Sequence, residues 1–201
     1  MKGQGQMDDF RQRARERAIK WAGRMMALED FRIFDTETTG LDSRAQAVQV
    51  AVIDKSGAVL LDALVKPTVP IPADAARIHG ITDVHVIDAP AFDALYPELA
   101  RVLADRHVIA YNLKFDLRIL DQTRALYGLP PLPVDPVARA DCAMEWFAAY
   151  YGDWHSRRRS FTWKPLNFAC QTLGVPASDF HAAAADCVAT LGVVQALAAL
   201  A

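Results

Sequence analysis

The stretch Phe31-Arg-Ile-Phe-Asp-Thr-Glu-Thr-Thr-Gly-Leu41 decides the fold, because a strand signal in it runs directly into two acids. The apolar residues between Phe31 and Phe34 predict a short buried strand. Residues two apart on a strand project from the same face about 6.5–7 Å apart, so Asp35 and Glu37 should point the same way. Like charges that close repel by several kcal/mol at an intermediate effective dielectric. The pair therefore predicts a bound cation.

The chain has the length and composition of one globular domain. Its 201 residues are 52% hydrophobic and 23% charged, which is enough apolar material for a sizeable core and unlike a disordered chain. The net charge is −2, but residues 1–26 carry seven basic and three acidic side chains, so the remaining body is acidic. An acidic body suits a site that collects metal ions. Composition alone does not predict a nucleic-acid binder.

The cysteines and the N-terminus favour a cytoplasmic protein without a membrane partner. Cys142, Cys170 and Cys187 have no CxxC spacing, so they predict buried thiols in a reducing compartment rather than a zinc site or disulfides. The N-terminal residues lack the apolar segment of a secretory signal. The longest apolar run, Cys187–Ala201, is too short to span a bilayer.

Strand signals followed by alternating strands and helices predict an α/β domain with a five-stranded mixed sheet flanked by helices. Strands are predicted at 31–37, 48–53, 58–66, 108–111 and, weakly, 137–141. Helices are predicted at 73–79, 91–103, 113–127, 142–151, 165–173 and 182–201. A turn at Ser56-Gly57 joins the second and third strands.

Residues 7–28 predict a basic amphipathic helix. We therefore divide the chain into a helical N-terminal extension, 1–29, and a single domain, 30–201. Apolar positions from Phe10 to Leu28 lie near one face of this helix, and basic residues surround the rest. Such a helix could contact nucleic acid or an anionic membrane. The favoured interpretation is a packing helix with a solvated face.

A third acid lies where a core position is expected. Asp116 is at the edge of the apolar stripe that Leu113, Leu117 and Leu120 form on the helix 113–127. An ionised carboxylate there costs free energy unless it is paired or binds metal. The alternative is an acid that interacts with the amides of the first helical turn.

A fourth acid, Asp186, lies inside the Ala-rich segment Ala182–Ala189, which predicts close packing. His181 precedes it by five positions. On one continuous helix the two side chains would diverge by about 140°, so they are not a metal-ligand pair of the HExxH kind. We therefore expect His181 in the loop before the helix, where an imidazole could move protons while the acid binds metal.

Together, Asp35-x-Glu37, Asn112-x-x-Phe115-Asp116 and His181-x-x-x-x-Asp186 resemble the DEDDh 3′–5′ exonuclease family in order and spacing. Members of this family are similar to proofreading exonuclease subunits, ribonuclease T and oligoribonuclease. The segment Ile78–Thr82 also resembles a stretch common in the proofreading branch. Ala182 lies where the Tyr-type subclass has its tyrosine, which indicates the His subclass. The resemblance covers residues 30–200 and implies a ribonuclease H-like fold.

The resemblance implies phosphodiester hydrolysis with two Mg²⁺ or Mn²⁺ ions at the 3′ end of DNA or RNA. Asp35 would bridge both ions, Glu37 and Asp186 would mainly serve the ion that holds the attacking water, and Asp116 the other. His181 would be the general base near neutral pH. The product would be a nucleoside 5′-monophosphate.

The resemblance also implies substrate contacts, although Leu41 and Phe115 could instead be core residues, and Asn112 could merely cap the helix 113–127 with its side chain. The candidates are Thr38, Leu41, His79, Asn112 and Phe115. The segment Trp154–Lys164 mixes cations and aromatics, which is typical of single-strand binding but also of a solvated basic turn. Tyr111 and Ala182-Ala183 depart from the family pattern, and this leaves substrate preference open.

Three alternatives accompany this interpretation. A phosphatase of the haloacid dehalogenase type opens with Asp-x-Asp-x-Thr, but here the second acid is Glu37, and Asp116, His181 and Asp186 would have no role. A non-catalytic nucleic-acid-binding module could use the same fold. The chain could also act within a larger assembly, with its N-terminal helix docking on a polymerase or another replication or repair protein.

Overall fold

The computed structural model describes residues 2–176 and 181–201. Within them the helices are α1 (Lys2–Ala27), α2 (Ala73–His79), α3 (Phe92–Leu103), α4 (Leu113–Ala125), α5 (Ala143–Tyr151), α6 (Leu166–Leu173) and α7 (Ala183–Ala198). The strands are β1 (Arg32–Thr38), β2 (Ala47–Asp54), β3 (Val59–Leu64), β4 (Val108–Ala110), β5 (Ala140–Cys142), β6 (Trp154–His155) and β7 (Ser160–Phe161). Most predicted elements are confirmed with shifted ends.

A five-stranded mixed sheet forms the centre, in the order β3-β2-β1-β4-β5. β1 pairs antiparallel with β2 and parallel with β4, and β5 pairs parallel with β4. The carboxyl ends of β1, β4 and β5 therefore open on the same edge of the sheet. The central strand β1 ends there, at Thr38, which is why its two acids can meet side chains from several other elements.

Helices cover both faces of the sheet. α7 lies against β1 and β2 and contacts α1 and α6, while α3 and α4 pack together on the other face. Phe31, Phe34 and Phe147 are among the largest fully buried side chains of the core between these layers. This arrangement confirms the predicted α/β class with helices flanking the sheet.

The N-terminal helix shares the main core. Trp21, Ala22 and Met25 are buried in it, and α1 packs against both α5 and α7. The Trp21 ring stacks on Trp146 of α5, with ring centroids 5.3 Å apart and an interplanar angle of 10°. The favoured packing interpretation of this helix is therefore confirmed, although the helix begins at Lys2, earlier than predicted. The boundary at residue 29 stays a prediction.

Trp21→Ala should destabilise the whole chain by about 3–5 kcal/mol, because it removes a fully buried aromatic side chain and leaves a cavity. Urea unfolding followed by far-UV circular dichroism measures this loss. Arg13→Ala, on the exposed face of the same helix, is the control and should change the free energy of unfolding by less than about 0.5 kcal/mol. A Trp21 variant as stable as the control would show that α1 is dispensable for folding.

A short hairpin formed by β6 and β7 was missed by the sequence prediction. The segment was predicted as a loop, but Trp154 pairs with Phe161 and His155 with Ser160. Phe10 of α1 packs on this hairpin, with its ring centroid 4.9 Å from that of Trp154 and 5.6 Å from that of Phe161. Strands of two residues are too short to show an alternating pattern.

The predicted burial of the thiols is confirmed, because Cys142, Cys170 and Cys187 are free and buried. The reducing compartment stays a prediction. The helices described here are each too short or too polar to cross a membrane.

Candidate active site

Three acids meet at the end of β1. Asp35 and Glu37 of β1 and Asp186 of α7 each place a ligand oxygen within 4.8 Å of the other two. We call these residues the acidic trio. The pairing of β1 with β2 shifts register between Glu37 and Thr38, so the regular strand stops at the trio. The two acids of β1 therefore share a face, as predicted, and α7 supplies a third carboxylate on that face.

Asp116 reaches the same strand end from the other side. It is buried on α4, and its Oδ1 accepts a hydrogen bond of 2.7 Å from the Thr36 hydroxyl. Because side chains alternate along a strand, Thr36 faces away from the trio and towards α4. Asp116 lies outside the trio, yet its charge helps to raise the pKa of Asp35.

Burial makes all four carboxyl groups weaker acids. It raises the pKa of Glu37 to about 8 and that of Asp116 to about 7. The pKa values of Asp35 and Asp186 are also raised, chiefly by burial. Neighbouring carboxylates raise the pKa of Asp35 and Glu37 further. A group of acids that resist ionising together is stabilised by a bound cation.

Asp186 provides the clearest test of whether the site fits a metal. Its Oδ2 lies 3.4 Å from the backbone nitrogen of His181, which donates to it. Its Oδ1 is buried without a hydrogen-bond partner among the described residues. A buried carboxylate oxygen without a partner is costly, and a metal ion would satisfy it. Oxygen donors of this kind suit Mg²⁺ and Mn²⁺, so the residues fit these ions.

Gln49 fixes the start of the helix that carries Asp186. It lies opposite Glu37 in the pairing of β1 with β2. Its Oε1 accepts a hydrogen bond of 3.3 Å from the backbone nitrogen of Ala183, the first residue of α7. Its Nε2 donates to Asp62 at 2.8 Å. Sequence reasoning missed Gln49, although a polar residue inside an apolar strand is a usable signal.

His181 lies before α7, as expected, and is exposed. Its φ of 74° is in the left-handed region, which non-glycine residues seldom adopt. Its backbone amide donates to Asp186, so the residue lies beside the acidic trio with its side chain exposed to solvent.

A pocket of about 530 Å³ adjoins the acids. Four of the five predicted substrate contacts line it: Thr38, Leu41, His79 and Phe115. Leu41 is 79% exposed, so it can contact a ligand. Glu37 also lines the pocket, which places a ligand bound there beside the candidate metal ligands. That these four residues contact a substrate stays a prediction.

His79 supports this pocket through both ring nitrogens. Its Nδ1 accepts a hydrogen bond of 3.0 Å from the backbone nitrogen of Ile81. The proton must then be on Nε2, which donates to the Thr38 carbonyl oxygen at 3.2 Å. Burial lowers the pKa of His79 and so favours this neutral form. His79 therefore fixes the backbone that follows Glu37.

Asn112 departs from the expectation. It precedes α4, but its side chain makes no capping hydrogen bond, so the predicted side-chain cap is wrong. Its carbonyl oxygen accepts from the backbone nitrogens of Phe115 and Asp116, at 2.9 Å and 3.2 Å. Asn112 is absent from the lining of the pocket, and its contact with substrate stays a prediction.

Thr36→Val should lower the catalytic rate by about 10–100-fold. A loss of this size is typical when a side chain that orients a candidate metal ligand is removed. Valine keeps the shape of threonine but cannot donate to Asp116, so the carboxylate loses its orientation. Initial rates across a Mg²⁺ titration measure the change. Thr36→Ser retains a hydroxyl and is the matched control. Equal rates for the valine and serine variants would contradict this role.

The sequence matches an exonuclease family. The family described as "Exonuclease" (RNase_T) matches residues 33–194. "Uncharacterized exonuclease CP81" of Escherichia phage 186 is 41% identical over 190 residues, which are 91% of this chain and 93% of that protein. The DNA polymerase III subunit epsilon of Rickettsia felis is 33% identical over 100 residues, which are 47% of this chain and 44% of that protein. The chain thus spans less than half of the polymerase subunit.

Solved structures show the same architecture. Exonuclease X in complex with 5′ overhanging duplex DNA superposes with a TM-score of 0.58 and 25% identity, over 83% of this chain and 90% of that one. E. coli exonuclease I in complex with a dT13 oligonucleotide gives a TM-score of 0.65 and 19% identity, over 82% of this chain and 40% of that one. The second similarity concerns the fold alone.

Proposed function

The chain belongs to the DEDDh exonuclease family, and from this premise we propose that it is a 3′–5′ exonuclease. It releases nucleoside 5′-monophosphates from single-stranded or frayed 3′ ends. The observation that carries the proposal is the acidic trio, in which a buried oxygen of Asp186 has no hydrogen-bond partner among the described residues. DNA is the first substrate to test, because exonuclease X was solved in complex with DNA.

Four carboxylates would hold the metal ions: Asp35, Glu37, Asp116 and Asp186. Two bound Mg²⁺ or Mn²⁺ ions would lower the pKa of a water molecule and neutralise charge on the leaving oxygen. Thr36 keeps the Asp116 carboxylate in place through its hydroxyl. Gln49 and the His181 amide hold the first turn of α7, and with it Asp186, against the sheet.

His181 is proposed as the general base. A neutral imidazole accepts a proton from the attacking water near neutral pH and then passes it to solvent. Its exposed position before α7 suits both steps. The terminal nucleotide would lie in the pocket, where Leu41 and Phe115 contact the base and Thr38 contacts the sugar or phosphate. Asn112 and His79 complete the proposed contacts, His79 through its ring face.

The test uses two strands with 5′ labels, one of DNA and one of RNA, each incubated with the protein and Mg²⁺. We expect a ladder of stepwise shorter labelled strands and release of nucleoside 5′-monophosphates. A strand with a blocked 3′ terminus should stay intact. Immediate release of the 5′-terminal nucleotide would overturn the proposed polarity. Binding without cleavage of either strand would favour the non-catalytic module.

Family membership sets aside the phosphatase alternative. The relatives named as polymerase III subunits support a replication or repair polymerase as a proposed protein partner. The thiols of Cys142, Cys170 and Cys187, all outside disulfides, support a reducing compartment and thus the proposed cytoplasmic location. Co-purification with a polymerase would test the partner proposal.

A further inference from the structure

We propose that a basic and aromatic surface leading away from the acids binds the single strand upstream of the reacting 3′ end. It consists of Arg17, Lys114, Arg157–Arg159, Phe161 and Trp163, and we call it the basic track. The inference rests on the proposed function, because a strand must enter the site for an upstream portion to exist. The residues of the basic track all lie outside the active site.

The basic track begins beside the active site. A groove of about 430 Å³ is lined by Leu113 and Lys114 at the start of α4, by Arg17 of α1 and by Phe161 of β7. Two of these residues, Leu113 and Lys114, lie in the same first turn of α4 as Asp116. The groove therefore connects the element that supplies an acid with the hairpin and α1.

The track continues over the β6–β7 hairpin. Phe161 also lines a second pocket, of about 230 Å³, together with Arg158 and Trp163. The two pockets share Phe161 as a lining residue, so they adjoin at this side chain. The base of the hairpin is tied back to the site, since the Tyr111 hydroxyl donates to the Lys164 carbonyl oxygen at 2.7 Å. Tyr111 immediately precedes the turn that leads to Asp116.

The charges of this surface favour a polyanion. In the described part of the chain, no carboxylate lies within 4.0 Å of the guanidinium groups of Arg17, Arg157, Arg158 or Arg159. Two nearby acids are each paired with a lysine, Glu145 with Lys114 at 2.8 Å and Asp153 with Lys164 at 2.6 Å. Lys114 is thus partly neutralised, and a third acid, Asp141, lines the groove and pairs with His107 at 2.8 Å, so the arginines supply the excess positive charge. A protein with a net charge of −2 thus carries a local basic surface.

The aromatic component distinguishes a single strand from other polyanions. Trp163 is 55% exposed, although burial of a tryptophan ring against another surface is favourable. Exposed rings beside arginines bind single strands by stacking on bases while the cations contact phosphates. An anionic membrane or an acidic protein segment would use the charges but would not need this stacking platform.

The experiment compares a long and a short substrate. Arg157→Gln/Arg158→Gln removes two cations and spares Arg159, whose φ of 52° makes substitution there a backbone change as well. On a strand of about 20 nucleotides, which can cover the track, kcat/KM should fall about tenfold or more. On a trinucleotide, which occupies only the site, it should stay within about twofold of the wild type.

Two further measurements identify the contacts. The logarithm of affinity for the long strand should depend less steeply on the logarithm of salt concentration, by about 1.4, which is the value for two lost phosphate contacts on a single strand. Trp163→Ala should weaken long-strand binding by about fivefold or more. Arg101→Gln/Arg106→Gln, at and just beyond the C-terminal end of α3, changes the net charge equally and should behave like the wild type.

Several outcomes would overturn the inference. One is an unchanged kcat/KM of the Arg157/Arg158 variant on the long strand, and another is an equal loss on both substrates. Loss of binding to phosphatidylserine vesicles with unchanged strand binding would assign the track to a membrane. If the wild type cleaves neither substrate, the proposed function fails. The track is then still tested by fluorescence anisotropy of a labelled strand without divalent metal.

Discussion

Replacing Asp35 with Asn is expected to abolish cleavage and, at the same time, to stabilise the metal-free protein. Asp35 is the member of the acidic trio whose pKa is raised by burial and by the charges of Asp116, Asp186 and Glu37. Asparagine keeps the shape but carries no charge, so it removes both the repulsion and a metal ligand. Activity should fall by roughly a thousandfold or more, since several kcal/mol of transition-state stabilisation is lost.

The gain in stability has a definite pH dependence. A carboxyl group whose pKa is raised on folding keeps its proton in the folded chain when the unfolded chain has lost it. The contribution of this group to the stability of the wild type is fully present below about pH 4. It is lost as the pH rises through the pKa of the group in the folded chain. Glu37, with a pKa of about 8, extends this loss into the weakly alkaline range. Added Mg²⁺ should restore the lost stability in the wild type.

Thermal unfolding with a chelator, at about pH 5 and about pH 8, measures the effect that this linkage predicts. If removal of the Asp35 charge raises the free energy of unfolding by about 2 kcal/mol, Tm should rise by about 4–8 °C for a chain of this size. We expect the difference between Asp35→Asn and the wild type to be larger at the higher pH. Asp88→Asn, at an exposed position, is the matched control. An Asp35 variant with full activity, or one less stable than the wild type at the higher pH, would contradict the metal assignment.

Replacing His181 with Ala should lower the rate by about 10²–10⁴-fold, the usual contribution of a general base. Initial rates at saturating Mg²⁺ measure this loss. Mg²⁺ should still raise the Tm of the variant, because the amide that donates to Asp186 belongs to the backbone and is retained.

The left-handed backbone at His181 calls for a second variant. Alanine is strained at a φ of 74°, whereas asparagine tolerates this region. His181→Asn should therefore show the same loss of rate with a smaller effect on stability. His85→Ala, at an exposed position away from α7, controls for the loss of an imidazole. A His181 variant that keeps the wild-type rate would exclude this residue as the base.

The sequence was sufficient for the features that depend on local patterns. The alternation of side chains along β1 predicted that Asp35 and Glu37 share a face. Asp116 and Asp186 were predicted as candidate metal ligands because each is an acid among apolar residues of a helix. The bounds of α2, Ala73–His79, were predicted without error because Gly80 ends the helix in the left-handed region. Such signals lie within a few residues of the feature that they indicate.

Features that depend on packing between distant segments were not predicted. Thr36 lies between two candidate ligands, but its role depends on where α4 docks, and Gln49 acts only because α7 begins beside β2. The β6–β7 hairpin depends on Phe10 covering its aromatic residues. Asn112 was expected to cap α4 with its side chain, yet its φ of −117° and ψ of 69° lie outside the extended conformation usual for capping residues.

The alternation of β1 also constrains how this protein can change in length. Asp35 and Glu37 face α7 while Thr36 faces α4, so one strand serves both helical layers through successive residues. A single-residue insertion after Phe34 would reverse the faces, because a shift of one position turns every side chain on a strand to the opposite side. Insertions and deletions should therefore be excluded from this segment.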